Sequence, residues 1–271
     1  VIEIIIDILI FIIGIYFGSF FTLAIHRLPK SENITYKASY CPNCNHKLGI
    51  LDLIPIFSYT ILGGKCRYCK NKIKIKYFLI EILSGIVFLL FFKTLKLEIL
   101  DITNKEIIKI IFLSIYIATL FILAGIDKER KILPKSLIIF IISISVIYII
   151  YSYTLNIENV YAYVIYLIMM IILLSLDTLI LNRKVQYSYI IQILILILYM
   201  IIFSNIYNTI ITIMLTILEI GIKNIIIYLK NKKSMIIKKE KIEKPIGFFL
   251  SVSNIIVIIM TNYIINYTIK I

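Results

Sequence analysis

Apolar residues run in stretches of about 20, separated by short polar and charged segments. Read along the chain, these stretches fall at roughly 4–25, 77–95, 107–126, 132–151, 160–182, 187–204, 208–229 and 246–267. Each is of a length that crosses a bilayer as a helix. The strict alternation expected of barrel strands is absent. The pattern therefore predicts an all-α, polytopic membrane protein with about eight transmembrane helices. No internal repeat is visible. Composition agrees: the chain is 61% hydrophobic with a mean hydropathy of +1.00, where soluble domains are about half apolar. The abundance of isoleucine, a modest helix former, counts little against helices in this setting.

The charged residues orient the spans. Residues 26–76 carry ten Lys/Arg against two acids, and 230–245 carry seven Lys. The connections at 127–135 and 183–186 are basic too, whereas 152–159 and 205–207 have no Lys or Arg. Basic connections alternate with ones that lack Lys and Arg or, at 96–106, are mixed in sign, the pattern of positive charge on the cytoplasmic side. It predicts both termini outside and the long 26–76 loop in the cytoplasm. The net charge of +14 then reflects topology and contact with anionic lipid headgroups, and no nucleic-acid partner is expected. No cleavable signal peptide is evident, since Glu3 and Asp7 stand where a basic leader would begin. The chain divides into a first transmembrane helix (1–26), a cytoplasmic four-cysteine loop (27–76) and a seven-helix membrane core (77–271).

All four cysteines lie in that loop, as "CPNC" (Cys41, Cys44) and "CRYC" (Cys66, Cys69). A two-residue gap lets both thiolates of a pair turn toward one ion, and two such knuckles complete a tetrahedral site that suits Zn²⁺. Four thiolates leave no open position, so the metal is expected to be structural, supplying folding free energy to a loop with little core of its own. Two disulfides are the alternative, and a cytoplasmic location disfavours them. His46 is a possible substitute ligand.

A single acid, Asp127, ends the third apolar run within "AGIDKERKILPK". An ionisable group at a membrane edge is a functional candidate. The ordinary reading is a solvated helix-end acid paired with Lys128 or Lys131.

Taken together, these motifs resemble the prepilin peptidases, the type IV leader peptidases of bacteria. "GSFFTLAIHRLP" (Gly18–Pro29) is similar to the family's opening motif, followed by its two CxxC pairs. "DLIPIFSYTILGGKCRYC" (Asp52–Cys69) and "KIKYFLIEILSG" (Lys74–Gly85) resemble its next segments, "IDKERKILPKSL" (Ile126–Leu137) its first catalytic motif, and "KPIGFFLSVSN" (Lys244–Asn254) the start of its last span. The resemblance implies an intramembrane aspartic endopeptidase of the bacterial inner membrane. Two aspartates would hold a water at the cytoplasmic face and cut a prepilin or pseudopilin leader after a glycine. It also implies N-methylation of the new terminus by S-adenosylmethionine, for which "HRLP" (His26–Pro29) and the zinc loop are the candidates. The first aspartate carries over to Asp127, and Pro134-Lys135 stands where the family has proline-aspartate.

The second aspartate does not carry over. The family places it in a glycine-x-glycine-aspartate motif about 60 residues after the first. Here the region reads "NRKVQYSYIIQI" (Asn182–Ile193), with no glycine and no acid, and the alignment puts Ser188 or Tyr187 at that position. A serine cannot supply a carboxylate. Asp177, near the cytoplasmic end of the neighbouring span, is the candidate for a relocated partner; its ordinary reading is a buried acid paired with Arg183 or Lys184. Glu81 matches a family glutamate of structural or methyl-transfer character, and Glu219 has no counterpart. Three functions follow: a peptidase using Asp127 and Asp177, a catalytically degenerate relative that binds prepilin-like helices or pilus-assembly partners, or a transporter with a zinc-binding loop. The largely apolar spans disfavour the last.

Overall fold

The computed structural model describes residues 2–36, 38–95, 102–131, 133–155, 160–180, 185–233 and 245–268. Its α-helices are α1 (Ile2–Arg27), α2 (Phe57–Ile61), α3 (Ile75–Leu95), α4 (Asn104–Arg130), α5 (Lys135–Thr154), α6 (Val160–Ile180), α7 (Val185–Ser204), α8 (Ile206–Lys233) and α9 (Ile246–Thr268). Among the described residues there are no strands, only two isolated bridges, Tyr40 to Lys47 and Lys65 to Lys72. Seven helices (α1, α3, α4, α5, α6, α8 and α9) are long and apolar enough to cross a membrane. The predicted span at 187–204 corresponds to α7, whose apolar stretch Ser188–Ser204 is shorter than the others. The protein is thus a polytopic all-α membrane protein.

Local chemistry sets the helix ends. Pro29 in the 3₁₀ turn Leu28–Lys30 closes α1, and Ser31 follows at φ 55. Pro134, at φ −62 and ψ 137, precedes α5, where its missing N–H costs nothing. A single residue, Asn205 at φ 68, separates α7 from α8. Asparagine tolerates the left-handed region, and its Oδ1 accepts the Asn208 N–H at 3.0 Å.

The chain forms two compact units, Val1–Ile107 and Ile108–Ile271. In the first, α3 packs lengthwise on α1. Gly14 and Gly18, four residues apart, allow this. A Cβ on Gly14 would lie 2.8 Å from Gly85 Cα, and one on Gly18 would lie 2.7 Å from Glu81 Cα. Small residues at this spacing let membrane helices approach backbone to backbone. Lys93 Nζ and Asp7 Oδ2, 2.8 Å apart, pair the same two helices nearer the α1 N-terminus.

In the second unit α7 is the hub, packing against α5, α6, α8 and α9. The most buried surface of α4 runs from Phe112 to Asp127. It joins the bundle through Tyr116, whose hydroxyl donates to Asn254 Oδ1 on α9 at 2.6 Å, and through Thr119, 2.9 Å from the Tyr199 hydroxyl on α7. Asn254 in turn donates to Thr212 (2.9 Å) and Ser204 (3.3 Å). Membrane helices gain little from burying apolar surface against one another, so such polar ties and close packing set their arrangement.

Candidate functional site

Asp127 lies in the last turn of α4 and is fully buried, at 0% exposure. This departs from the solvated acid of the ordinary reading. Its Oδ2 accepts the Phe248 N–H at 2.8 Å and the Tyr189 hydroxyl at 3.1 Å. The Tyr189 oxygen accepts the Ile246 and Gly247 N–H groups at 2.9 and 3.3 Å. The first N–H groups of a helix have no partner within it. Here the start of α9 is satisfied by an acid from α4 and a phenol from α7, and the helix dipole favours negative charge at that end. Gly247 makes room: a Cβ there would sit 3.2 Å from Asp127 Cγ and 3.3 Å from Ile193 Cδ1. Lys128 Nζ lies 4.8 Å from the centroid of the Phe248 ring. The other carboxylate oxygen of Asp127, Oδ1, is buried and has no hydrogen-bond partner among the described residues.

Asp177 on α6 is also at 0% exposure. Ser188 donates to its Oδ1 at 2.5 Å, and Gln192 Nε2 lies 3.5 Å from Oδ2 and 3.3 Å from the Ser188 oxygen. Gln192 Oε1 accepts the Leu133 N–H, just past α4, at 3.0 Å. Ser188, one of the two positions at which the resemblance would place the second aspartate, is in direct contact with Asp177. Residues four apart share a helix face, so Ser188 and Gln192 address Asp177, while the intervening Tyr189 addresses Asp127. One turn of α7 holds both acids. Arg183 and Lys184, the alternative partners for Asp177, lie outside the described residues.

Tyr189 and Gln192, which contact the two acids, are residues that sequence reasoning passes over. The i, i+4 polar pair Ser188/Gln192 inside an apolar run is a legible signal. Tyr189, one of 20 tyrosines, offers none. Glu81 lies in the first unit, where its Oε2 accepts the Ile56 N–H at 2.8 Å. Glu219 is half-buried on α8.

The cysteine loop forms a compact centre. The four Sγ atoms of Cys41, Cys44, Cys66 and Cys69 lie within 4.8 Å of one another, and none is in a disulfide. The two knuckles repeat one backbone pattern that no sequence repeat announces. Cys41 N–H donates to His46 O and Asn45 N–H to Cys41 O; Cys66 N–H donates to Asn71 O and Lys70 N–H to Cys66 O. Asn45 and Lys70 take matching positive φ values of 57 and 59. His46 is outside the cluster and stacks on Tyr68 with centroids 3.6 Å apart. Asp52 ties the second knuckle to the preceding turn, accepting from Arg67 Nε (2.6 Å), the Tyr68 hydroxyl (3.2 Å) and Gly49 N–H (3.1 Å). The Arg67 guanidinium holds the Asp52 carboxyl below its ordinary range. Hydrogen bonding from the Asn71 N–H draws the Cys69 thiol down to about 7. A closed set of four sulfurs, one already inclined to ionise, fits a soft tetrahedral ion.

Residues 12–95 match the family described as the bacterial peptidase A24 N-terminal domain. Among curated proteins, the chain is 31% identical to a prepilin leader peptidase/N-methyltransferase of Vibrio cholerae over 160 residues, 56% of this chain and 60% of the relative. It is 31% identical to one of Klebsiella pneumoniae over 47% of this chain and 55% of the relative. It is 34% identical to one of Myxococcus xanthus over 47% and 36%. Over these segments the chain is similar to the prepilin leader peptidases. The matched segments span about half the length of these relatives. No solved structure matches.

Proposed function

We propose that this protein is a prepilin leader peptidase of aspartic type, with Asp127 and Asp177 as its acids. The observation that carries the reading is the single turn of α7, Ser188 to Gln192, which holds both buried carboxylates while Asp127 Oδ1 keeps an unengaged acceptor. In an aspartic mechanism one acid serves as base and the other as acid. The ionised carboxylate takes a proton from water. The water oxygen attacks the scissile carbonyl, the C–N bond breaks, and the protonated acid delivers its proton to the leaving amine. Ser188 and Gln192 orient Asp177; Tyr189 and the start of α9 orient Asp127.

Further features belong to the same reading. The four thiolates hold Zn²⁺ as a structural ion. The charge pattern puts the cysteine loop and both acids on the cytoplasmic side of the inner membrane, with the termini outside. A prepilin or pseudopilin is the substrate. S-adenosylmethionine, when bound, supplies the methyl group placed on the new amino terminus.

Co-expression with a prepilin-like substrate, read by a gel shift for leader removal, tests the proposal. Wild type should cut, and both Asp127→Asn and Asp177→Asn should abolish cutting. Cutting by Asp177→Asn would remove Asp177 from the mechanism. The capping of α9 by Asp127 favours a second reading, in which the fold keeps the acid for structure and the protein binds prepilin-like helices without cleaving them. Failure of wild type to cut any prepilin of its own cell would establish that one.

A further inference from the structure

The chain between the two cysteine knuckles contains an uncharged run, "LIPIFSYTIL" (Leu53–Leu62). An apolar run of about 10–14 residues is too short to cross a bilayer and suits a buried or interfacial segment. The structure places this one beside two long helices, not beyond their ends. Ile56 N–H donates to Glu81 Oε2 at 2.8 Å, and Glu81 stands six residues inside α3, about 9 Å along the helix axis. Tyr59 stacks on Phe78 of α3 with centroids 5.0 Å apart. Tyr59 and Leu62 line one cavity with Ser19 and Phe20, which stand eight and seven residues before the end of α1, about 10–12 Å inside it. Both α1 and α3 are long and apolar enough to cross a membrane. After the first knuckle the chain therefore turns back alongside two spanning helices.

The short helix α2 has a second face. Phe57 and Ile61, four residues apart and so on one side, are 65% and 78% exposed. Leu79 and Leu83, which flank Glu81 along α3, are exposed too. The polar groups of the run are met from within the protein, as non-helical backbone at membrane depth requires. Pro55 is buried and has no N–H to satisfy. Ile56 is held at φ 64, a cost for a β-branched residue, and its N–H reaches Glu81. The Thr60 hydroxyl donates to Ile56 O and Phe57 O at 3.1 and 3.0 Å. Exposed lysines bracket the return to the second knuckle and α3, Lys65 after the run and Lys72 and Lys74 before α3, the charge that anionic headgroups attract. We propose that Leu53–Leu62 is a re-entrant segment whose outer face, Phe57 and Ile61, lies among the lipid acyl chains of the leaflet on that side. The segment anchors the cysteine loop to the membrane whether or not the protein cuts a prepilin.

The chain contains no tryptophan, so a single introduced one reports its own surroundings. Phe57→Trp and Ile61→Trp, each in the full chain in nanodiscs, are the reporters. Asn43→Trp, at the exposed tip of the first knuckle, is the reference. The quenchers are phosphatidylcholine brominated near the top of its acyl chains and iodide in the water, and an unchanged melting profile reports that each variant keeps the fold. Both reporters should lose most of their emission to the brominated lipid and little to iodide, and the reference should do the reverse. Reporters open to iodide would put the face in water. Reporters shielded from both quenchers would put it against protein, a second copy or another partner. Either result overturns the proposal. Equal lipid quenching of the reference would overturn it as well, because the whole loop and not this run would then lie in the lipid.

Discussion

Asp127 caps α9 and is proposed as a catalytic acid, and two substitutions separate the two roles. In Asp127→Asn the amide oxygen can still accept the Phe248 N–H and the Tyr189 hydroxyl, now at 2.8 and 3.1 Å. Asn and Asp are comparable caps, so only the interaction of the charge with the helix dipole is lost, about 0.3–1 kcal/mol. In Asp127→Ala both bonds vanish, and buried N–H and O–H groups are left without an acceptor. The Ile246 and Gly247 bonds to Tyr189 survive, which limits the damage to roughly 2–4 kcal/mol. At about 2–4 °C per kcal/mol for a unit of this size, the alanine variant should melt roughly 5–15 °C below wild type in detergent, and the asparagine variant within a few degrees of it. Leader cleavage should fall by about 10²–10⁴-fold in both, the usual scale for a general acid or base. Near-wild-type cleavage by Asp127→Asn would show that the acid is only a cap. Equal melting losses in the two variants would refute the capping argument.

Exchanging the acid and its neighbour, Asp177→Ser with Ser188→Asp, should restore part of the cleavage lost in Asp177→Ser alone, since the two side chains touch; no recovery in the gel-shift assay would argue that Asp177 does not stand in for the missing acid. Gly247→Ala puts a methyl 3.2 Å from Asp127 Cγ, so cleavage should fall while melting changes little, and an unaltered rate would mean the carboxylate position is not critical. Gly14→Ala brings its Cβ within 2.8 Å of Gly85 Cα and should cost about 1–3 kcal/mol, whereas Gly221→Ala, with nothing within 4 Å, should be neutral or slightly stabilising; melting of the two variants checks this. Titrating the thiols with a mercurial should release one Zn²⁺ per chain. Because the Asp52 carboxyl is held below its ordinary range by Arg67, its contribution is present at neutral pH and is lost as pH falls through that lowered value. Asp52→Asn should therefore flatten the acid dependence of loop stability seen by limited proteolysis, and an unchanged profile would discount the Asp52–Arg67 tie.

The spans and the four-cysteine cluster were legible along the chain because their physics is local. A helix in lipid must satisfy its own backbone and needs about 20 apolar residues, and a CxxC pair brings its thiolates together through its own turn. The α7 stretch is the informative exception: its chain of apolar residues is shorter, and its place is set by the four helices packed around it. Asp127 stood out for the same local reason, as a lone acid closing an apolar run. Its partners did not. Phe248 and Tyr189 lie 121 and 62 residues away, and no periodicity links residues that meet only when α4, α7 and α9 converge. Likewise the missing aspartate left a serine whose meaning could not be read alone. Folding brings Ser188 onto Asp177, a contact that neither residue announces in the sequence. The backbone approach of α1 and α3 at Gly14 and Gly18 was similarly silent, because a glycine shows its use only when another chain segment presses against it.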